Sequence, residues 1–267
     1  MATCDTLPAE PAPPIATRLI DALSSEWTKL RSVKSNYWLL TIAAVTALGG
    51  SARAALADRS SHKPALADPV ASTFLAWLEY PILAVGILGL LSFTSEYTSG
   101  QIRTTFAAVP QRLTVLIAKT SVAGIVALIF GEALAFASFL IRQAILTGHR
   151  GSIAITHPGV PAELLSGGLA ICAIATLGVA LGGIIRNTAG AVAALPALIH
   201  LPLLVLTLPH PWNDDIGKFT LLMAACQLVS EHPHAGLLPV PLSLAVLVAW
   251  PAVTLLAVGM LIKKRDA

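Results

Sequence analysis

Apolar runs of about twenty residues recur along this chain, separated by short polar stretches. A helix needs about 20 such residues to cross the hydrocarbon core of a bilayer. Six runs reach that length, over residues 37–56, 72–93, 113–140, 164–185, 189–208 and 240–262. The first is the weakest, its strongest core being confined to 38–50. The third is long enough to tilt or to project beyond the lipid. Ahead of them, residues 15–35 follow another rhythm. Ile15, Leu19, Leu23, Trp27 and Leu30 recur at spacings of three and four, while Arg18, Asp21, Glu26, Lys29 and Arg31 largely occupy other faces. This predicts an amphipathic helix in the membrane interface with Trp27 at headgroup depth, as a plain anchor or as a lever to a partner. The expected layout is all-α and polytopic. It comprises a disordered lead over 1–14, an interfacial helix over 15–36, a six-span domain over 37–262 and a tail over 263–267.

The insert between the second and third runs is the most informative polar stretch. Glu96-Tyr97-Thr98-Ser99-Gly100-Gln101-Ile102-Arg103-Thr104-Thr105-Phe106 makes about four turns if helical, ending at Pro110. Thr94 or Ser95 can cap it, and Glu96 falls in the first turn, where the helix dipole favours a carboxylate. Gly100 costs about 1 kcal/mol of helicity but permits close backbone approach. Ile102, Phe106 and Val109 supply an apolar side, and Arg103 and Arg112 supply charge. Such a mixed face suits docking in a partner's groove or resting on lipid headgroups.

Composition agrees with the pattern. Of 267 residues, 55% are hydrophobic and only 12% charged; soluble domains carry about 25% charged residues. The mean hydropathy is +0.77. Lipid is the natural solvent for the excess apolar surface. Lys and Arg divide eleven against six in favour of the N-terminal side of the bilayer, so both termini are expected in the cytoplasm. Lys263, Lys264 and Arg265 form a basic inside anchor. The first fourteen residues lack the apolar stretch of a signal peptide. Cys4, Cys172 and Cys226 offer no disulfide framework.

On the outer side, the segment 209–239 contains a stretch over 216–229 with Phe219, Leu222, Met223 and Leu228. Asn213, Asp214 and Asp215 precede it as capping candidates. Re-entrant or surface helices are expected over about 212–235, either capping a cavity or serving as inert cover. Three polar groups fall within apolar runs, where they are expensive unless paired, protonated or wetted. Glu79, just before Pro81, lines a cavity or marks the outer interface. Glu132 pairs across a helix seam or meets a substrate, and His200 is a packed hydrogen-bonded group or a ligand. His232 and His234 flank Pro233 without the further ligands a metal site needs, so no metal is expected. The pairs Gly49-Gly50, Gly167-Gly168 and Gly182-Gly183 lack the lysine of a phosphate-binding loop and suit close helix packing. Trp250-Pro251 predicts a kink in the last span.

Two stretches carry a family resemblance. Trp27-Thr28-Lys29-Leu30-Arg31-Ser32-Val33-Lys34-Ser35-Asn36-Tyr37-Trp38 supports it. Glu96 to Phe106, continued by Ala107-Ala108-Val109-Pro110, is the more specific. Over nearly the whole chain the sequence resembles the ABC-2 type permeases of actinobacterial drug and natural-product exporters. The resemblance implies a type V exporter-like permease in the bacterial plasma membrane. A second permease copy and two cytosolic ATPase subunits would be its partners, with ATP and Mg held by the ATPases and no cofactor in this chain. It implies export of a small amphipathic or hydrophobic drug, antibiotic or lipid-like substrate, with membrane lipid around it, no enzymatic activity in the chain itself and no nucleic-acid partner. An interfacial helix carrying Trp27 and Arg31 is implied, as is a cytoplasmic coupling helix over about 95–110. Glu96, Gly100, Arg103, Thr104 and Phe106 fall in that coupling region. Glu79, Glu132 and His200 become candidates for the substrate path; related permeases often carry a neutral amide near Glu79. A homodimer is expected because two-fold symmetry is common. The competing classes are an ATP-independent channel and a membrane-embedded enzyme.

Overall fold

Long runs of Leu, Ile, Val and Ala with few breakers fold into helices wherever the backbone must satisfy its own hydrogen bonds, as it must in lipid. The computed structural model describes residues 15–60, 79–109, 111–148, 152–205, 207–229 and 236–264. These form α1 (Ile15–Ser32), α2 (Lys34–Ser60), α3 (Glu79–Ser99), α4 (Gln101–Ala108), α5 (Arg112–Leu146) and α6 (Val160–Ile185). They continue with α7 (Thr188–Ile199), α8 (Leu201–Val205), α9 (Trp212–Gly217), α10 (Leu221–Leu228) and α11 (Val240–Lys264). Five of them, α2, α3, α5, α6 and α11, are long and apolar enough to cross a membrane. Their outer faces expose Ile42, Val45, Ile117, Ile125, Val253 and Leu256, an apolar surface that water does not tolerate at this extent. The chain is a multi-pass, all-α membrane protein.

At the centre of the bundle, α6 packs against α3, α5, α7 and α11. Its contact with α3 is the closest, and glycine makes it so. A Cβ at Gly89 would fall on the Ala175 carbonyl oxygen, and one at Gly178 on that of Gly86. One at Gly182 would meet the Leu90 carbonyl oxygen. Two helix backbones therefore touch along three successive contacts, where dispersion and weak Cα–H···O bonds replace the hydrophobic drive that lipid cannot supply. The expectation of close packing at the glycine pairs holds for Gly168, which lies against Glu132, and for Gly182 and Gly183. Gly49 departs from it, because a methyl group added there would find open space, with no other heavy atom within 4 Å.

Three boundaries differ from the expected layout. The run over 189–208 is not one span. It is the 12-residue α7, a break at His200 and the 5-residue α8. Pro196 and Pro202 remove backbone donors and crowd the preceding turn, and α7 alone extends only about 18 Å at about 1.5 Å per residue. Among the described residues, five helices rather than six are thus long enough to cross. The helix expected over 15–36 ends at Ser32, and α2 begins at Lys34. Asn36 secures this turn, its side chain donating to the Leu30 carbonyl at 2.9 Å while the Tyr37 hydroxyl donates to that of Arg31 at 3.0 Å. Glu96 does not open the polar insert. It lies in the last turn of α3, and the separate helix starts only after Gly100, whose φ of 75° is left-handed and natural to glycine.

On the far side, the expected helix over 216–229 is two pieces, α9 and α10, with Asn213, Asp214 and Asp215 inside the first and Thr220 at the N-cap position of the second. The Trp250 indole donates to the Phe219 carbonyl at 2.9 Å, tying the junction of these pieces to α11, which continues through Pro251. The lead over 1–14, the tail beyond 264, and His232 and His234 lie outside the described residues.

Gly178→Ala should separate α3 from α6 and cost about 1–3 kcal/mol, the usual penalty of overpacking. Gly49→Ala should be neutral or gain about 1 kcal/mol of helix propensity. Thermal unfolding in detergent checks the contrast, and equal effects of the two changes would refute the seam.

Candidate functional site

The ends of α3, α6 and α11, the starts of α5 and α7, and the later turns of α1 meet at one end of the bundle. The contacts that establish this are Lys29 to Glu96, Thr98 to Thr188, Arg112 to the Ile262 carbonyl, and the Arg186 guanidinium over the Tyr97 ring. This end gathers Lys29, Arg112, Lys119 and Arg186, and carries Lys263 and Lys264 at the close of α11.

Its core is a quartet of ionised groups from three helices. Lys119 of α5 has a side chain 0% exposed. Its ammonium donates to Glu26 Oε2 of α1 at 2.8 Å, to Glu96 Oε1 of α3 at 2.6 Å and to the Ser92 carbonyl at 2.9 Å. It also stands 5.3 Å from the centroid of the Phe93 ring. Lys29 of α1, half-buried, donates to Glu26 Oε1 and Glu96 Oε1, both at 2.7 Å. Two ammonium groups thus face two carboxylates with no net charge, the condition under which such groups are tolerated away from water. Burial draws the Lys29 pKa down, but its hydrogen bonds to Glu26 and Glu96 and the charges of those carboxylates prevail, leaving it above the ordinary lysine value. A raised lysine contributes its stability at every pH below its unfolded-state value and loses it only as pH climbs through the folded one, so this tie is intact throughout the neutral range.

A cavity of about 270 Å³ adjoins the quartet. Its apolar wall includes Leu88, Leu91 and Val122, and its polar wall includes Ser32, Asn36 and Gln101. Leu30 and Val33 line it from the C-terminal side of α1, so the cavity lies between that end of α1 and the bundle, beside the charged groups.

Beside the quartet hangs α4. Ile102 is 4% exposed and packs with Phe93, Leu116, Val258 and Ile262, with Phe106 against the same cluster. The Arg112 guanidinium covers the Phe106 ring at 5.3 Å, and the Thr105 hydroxyl donates to Glu96 Oε2 at 3.4 Å. Gln101, Arg103, Thr104, Ala107 and Ala108 remain on the accessible side. The coupling candidates therefore divide. Gly100, Arg103 and Thr104 lie on the outward surface, while Glu96 and Phe106 are turned into the bundle and hold the helix in place.

The other candidates lie elsewhere. Trp27 and Arg31 are exposed on α1, which faces the bundle with Ala22 and Glu26 instead. Glu79 is the first residue of α3, at the far end from Glu96. Glu132 sits midway along α5, and His200 caps α7 with Nδ1 2.9 Å from the Pro196 carbonyl oxygen. Glu132 and His200 thus stand on different helices, α5 and the end of α7. No group of three His, Cys, Asp or Glu side chains among those residues could hold a metal ion.

Glu26 and Lys119 are the site residues that sequence reasoning misses, since both read as part of the charge pattern of the membrane surface. A signal exists: Lys119 is embedded in the apolar start of α5, and a cation so placed needs carboxylate partners. A second missed pair lies at the far end, where Arg142, 2% exposed, meets Asp58 at 2.8 Å. No protein-family model matches the chain, and comparison with curated proteins finds no match.

Replacing Lys119 by Met should leave the two buried carboxylates with only the half-exposed Lys29 between them and cost about 3–5 kcal/mol. Lys29→Met, at a half-exposed position, should cost about 1 kcal/mol or less. Chemical denaturation in mixed micelles checks the order; a larger loss at Lys29 than at Lys119 would count against the quartet as drawn.

Proposed function

We propose that the chain is the membrane subunit of an ATP-driven exporter, a permease of the ABC-2 type in the bacterial plasma membrane. Two copies enclose a path for an amphipathic or hydrophobic compound, and two separate ATPase subunits drive it from the cytoplasm, where both termini lie. The observation that carries this reading is α4. It is a short helix slung between two apolar helices at the basic end, seated by Ile102 and Phe106 and leaving Arg103 and Thr104 exposed. Such a fixed, outward-facing mixed surface suits insertion into a groove of a second protein. The excess of Lys and Arg at that end supports its cytoplasmic placement. The absence from the sequence of a glycine-rich loop ending in Gly-Lys-Ser/Thr supports a motor on another chain.

In this scheme ATP binding draws the two motors together and displaces α4. The Thr105–Glu96 hydrogen bond and the Phe106 contact pass that displacement to α3 and α5. The quartet carries α1 with them, and the glycine seam passes the movement of α3 to α6. The bundle then has two arrangements, and ATP biases the choice between them.

An untagged ATPase subunit should co-purify with the tagged permease. Arg103→Glu should reduce that recovery about tenfold, on the order of one lost charged contact at an interface, without altering expression. A cysteine placed at Gln101 should react with an impermeant maleimide only in inside-out vesicles. Export by the chain alone, or labelling of that cysteine from outside intact cells, would end this reading in favour of a channel or another topology.

A further inference from the structure

One carboxyl group stands apart from the charged clusters at the two ends of the bundle. Glu132 lies on α5 thirteen residues after Lys119 and ten before Arg142, about 20 Å and about 15 Å along the helix axis. That is near the middle of the bilayer. Its Oε2 is shut off from solvent and has no hydrogen-bond partner. Its other atoms rest on α6 at Gly168, and a Cβ there would fall on the Glu132 carboxyl. Gly131, beside it, lets the helices approach so closely that its own Cβ would stand 3.2 Å from the Gly168 Cα. The charged pairs of the described residues do not include Glu132. Ile129, three residues before Glu132 on α5, and Leu165 and Leu169, three before and one after Gly168 on α6, flank this notch in sequence and are exposed and apolar.

An ionisable group at this depth is stable only against a proton or a cation. A hydrated metal ion does not suit the notch, because one carboxylate among aliphatic walls cannot replace the six or so oxygens that a hard cation requires. A cation whose charge is surrounded by apolar groups does suit it: its hydrocarbon covers Ile129, Leu165 and Leu169, and its charge meets the carboxylate where little water competes. We propose that the Glu132–Gly168 notch recognises the positive centre of a lipophilic cation, and that such cations are the cargo. The cargo assignment rests on the exporter reading; binding at the notch does not.

The test uses the full chain in nanodiscs, without ATP or ATPase subunits. Radiolabelled tetraphenylphosphonium, a permanent lipophilic cation, is compared with neutral triphenylphosphine oxide. Wild type should bind the cation saturably. Glu132→Gln should weaken that binding about tenfold, the equivalent of about 1.4 kcal/mol, and leave the oxide unaffected. Glu132→Asp should restore part of the loss. Gly168→Ala, which keeps the charge but displaces the carboxyl, should also weaken the cation selectively and serves if Glu132→Gln fails to fold. Cation binding that is absent in wild type, unchanged in both variants, or lost in parallel with the oxide would overturn the proposal. Because no motor is present, such a result leaves the ATPase co-purification untouched. Conversely, selective cation binding by a chain that recruits no ATPase would keep the notch and remove the export scheme.

Discussion

All three hydrogens of the Lys119 ammonium are engaged, by Glu26 of α1 and by Glu96 and the Ser92 carbonyl of α3. A cation buried to this extent cannot release one partner without leaving charge uncompensated. This constraint binds the amphipathic α1 and two helices long enough to cross a membrane into one body at the basic end. Lys29 closes the arrangement from the solvent side, sharing Glu96 Oε1 with Lys119. Glu96 also accepts from Thr105, which links the quartet to α4, the helix that Ile102 and Phe106 seat.

Farther along the bundle a different force takes over. Between α3 and α6 the contact is made by glycines that let main chain lie on main chain. Contact of that kind is short-ranged and stiff, since a small separation forfeits most of the dispersion energy. Movement of α3 at its charged end is therefore felt by α6, which packs in turn on α5, α7 and α11. Polar clamps at the rim and bare backbone contact in the interior divide the work of holding the bundle.

Much of this architecture is legible in the sequence, because lipid imposes a minimum apolar length that composition reveals directly. The helices α2, α3, α5, α6 and α11 answer to five of the six apolar runs. The run over 189–208 misleads because hydropathy registers Pro196 and Pro202 as compatible with a span, whereas the backbone registers two missing donors. Gly100 reads as a cost to a continuous helix; in the fold its left-handed conformation ends one helix and starts another, a choice that helix propensity does not register. The surface of α4 can be read from its mixed composition. The quartet cannot, because Glu26 and Lys119 are 93 positions apart and no local periodicity links them. On α1 the spacing of Leu19, Leu23 and Trp27 draws attention to the apolar stripe, while the fold turns Ala22 and Glu26 inward.

The length of α5 has its own consequence. Lys119 and Arg142 are buried cations 23 residues apart on one 35-residue helix, about 34 Å at about 1.5 Å per residue. The hydrocarbon core of a bilayer is about 30 Å thick. Each cation is thus stationed near its own water boundary, and sliding α5 along the membrane normal would drag one of them into oil. The helix is pinned in height, and the motions left to it are rocking and rotation about its long axis.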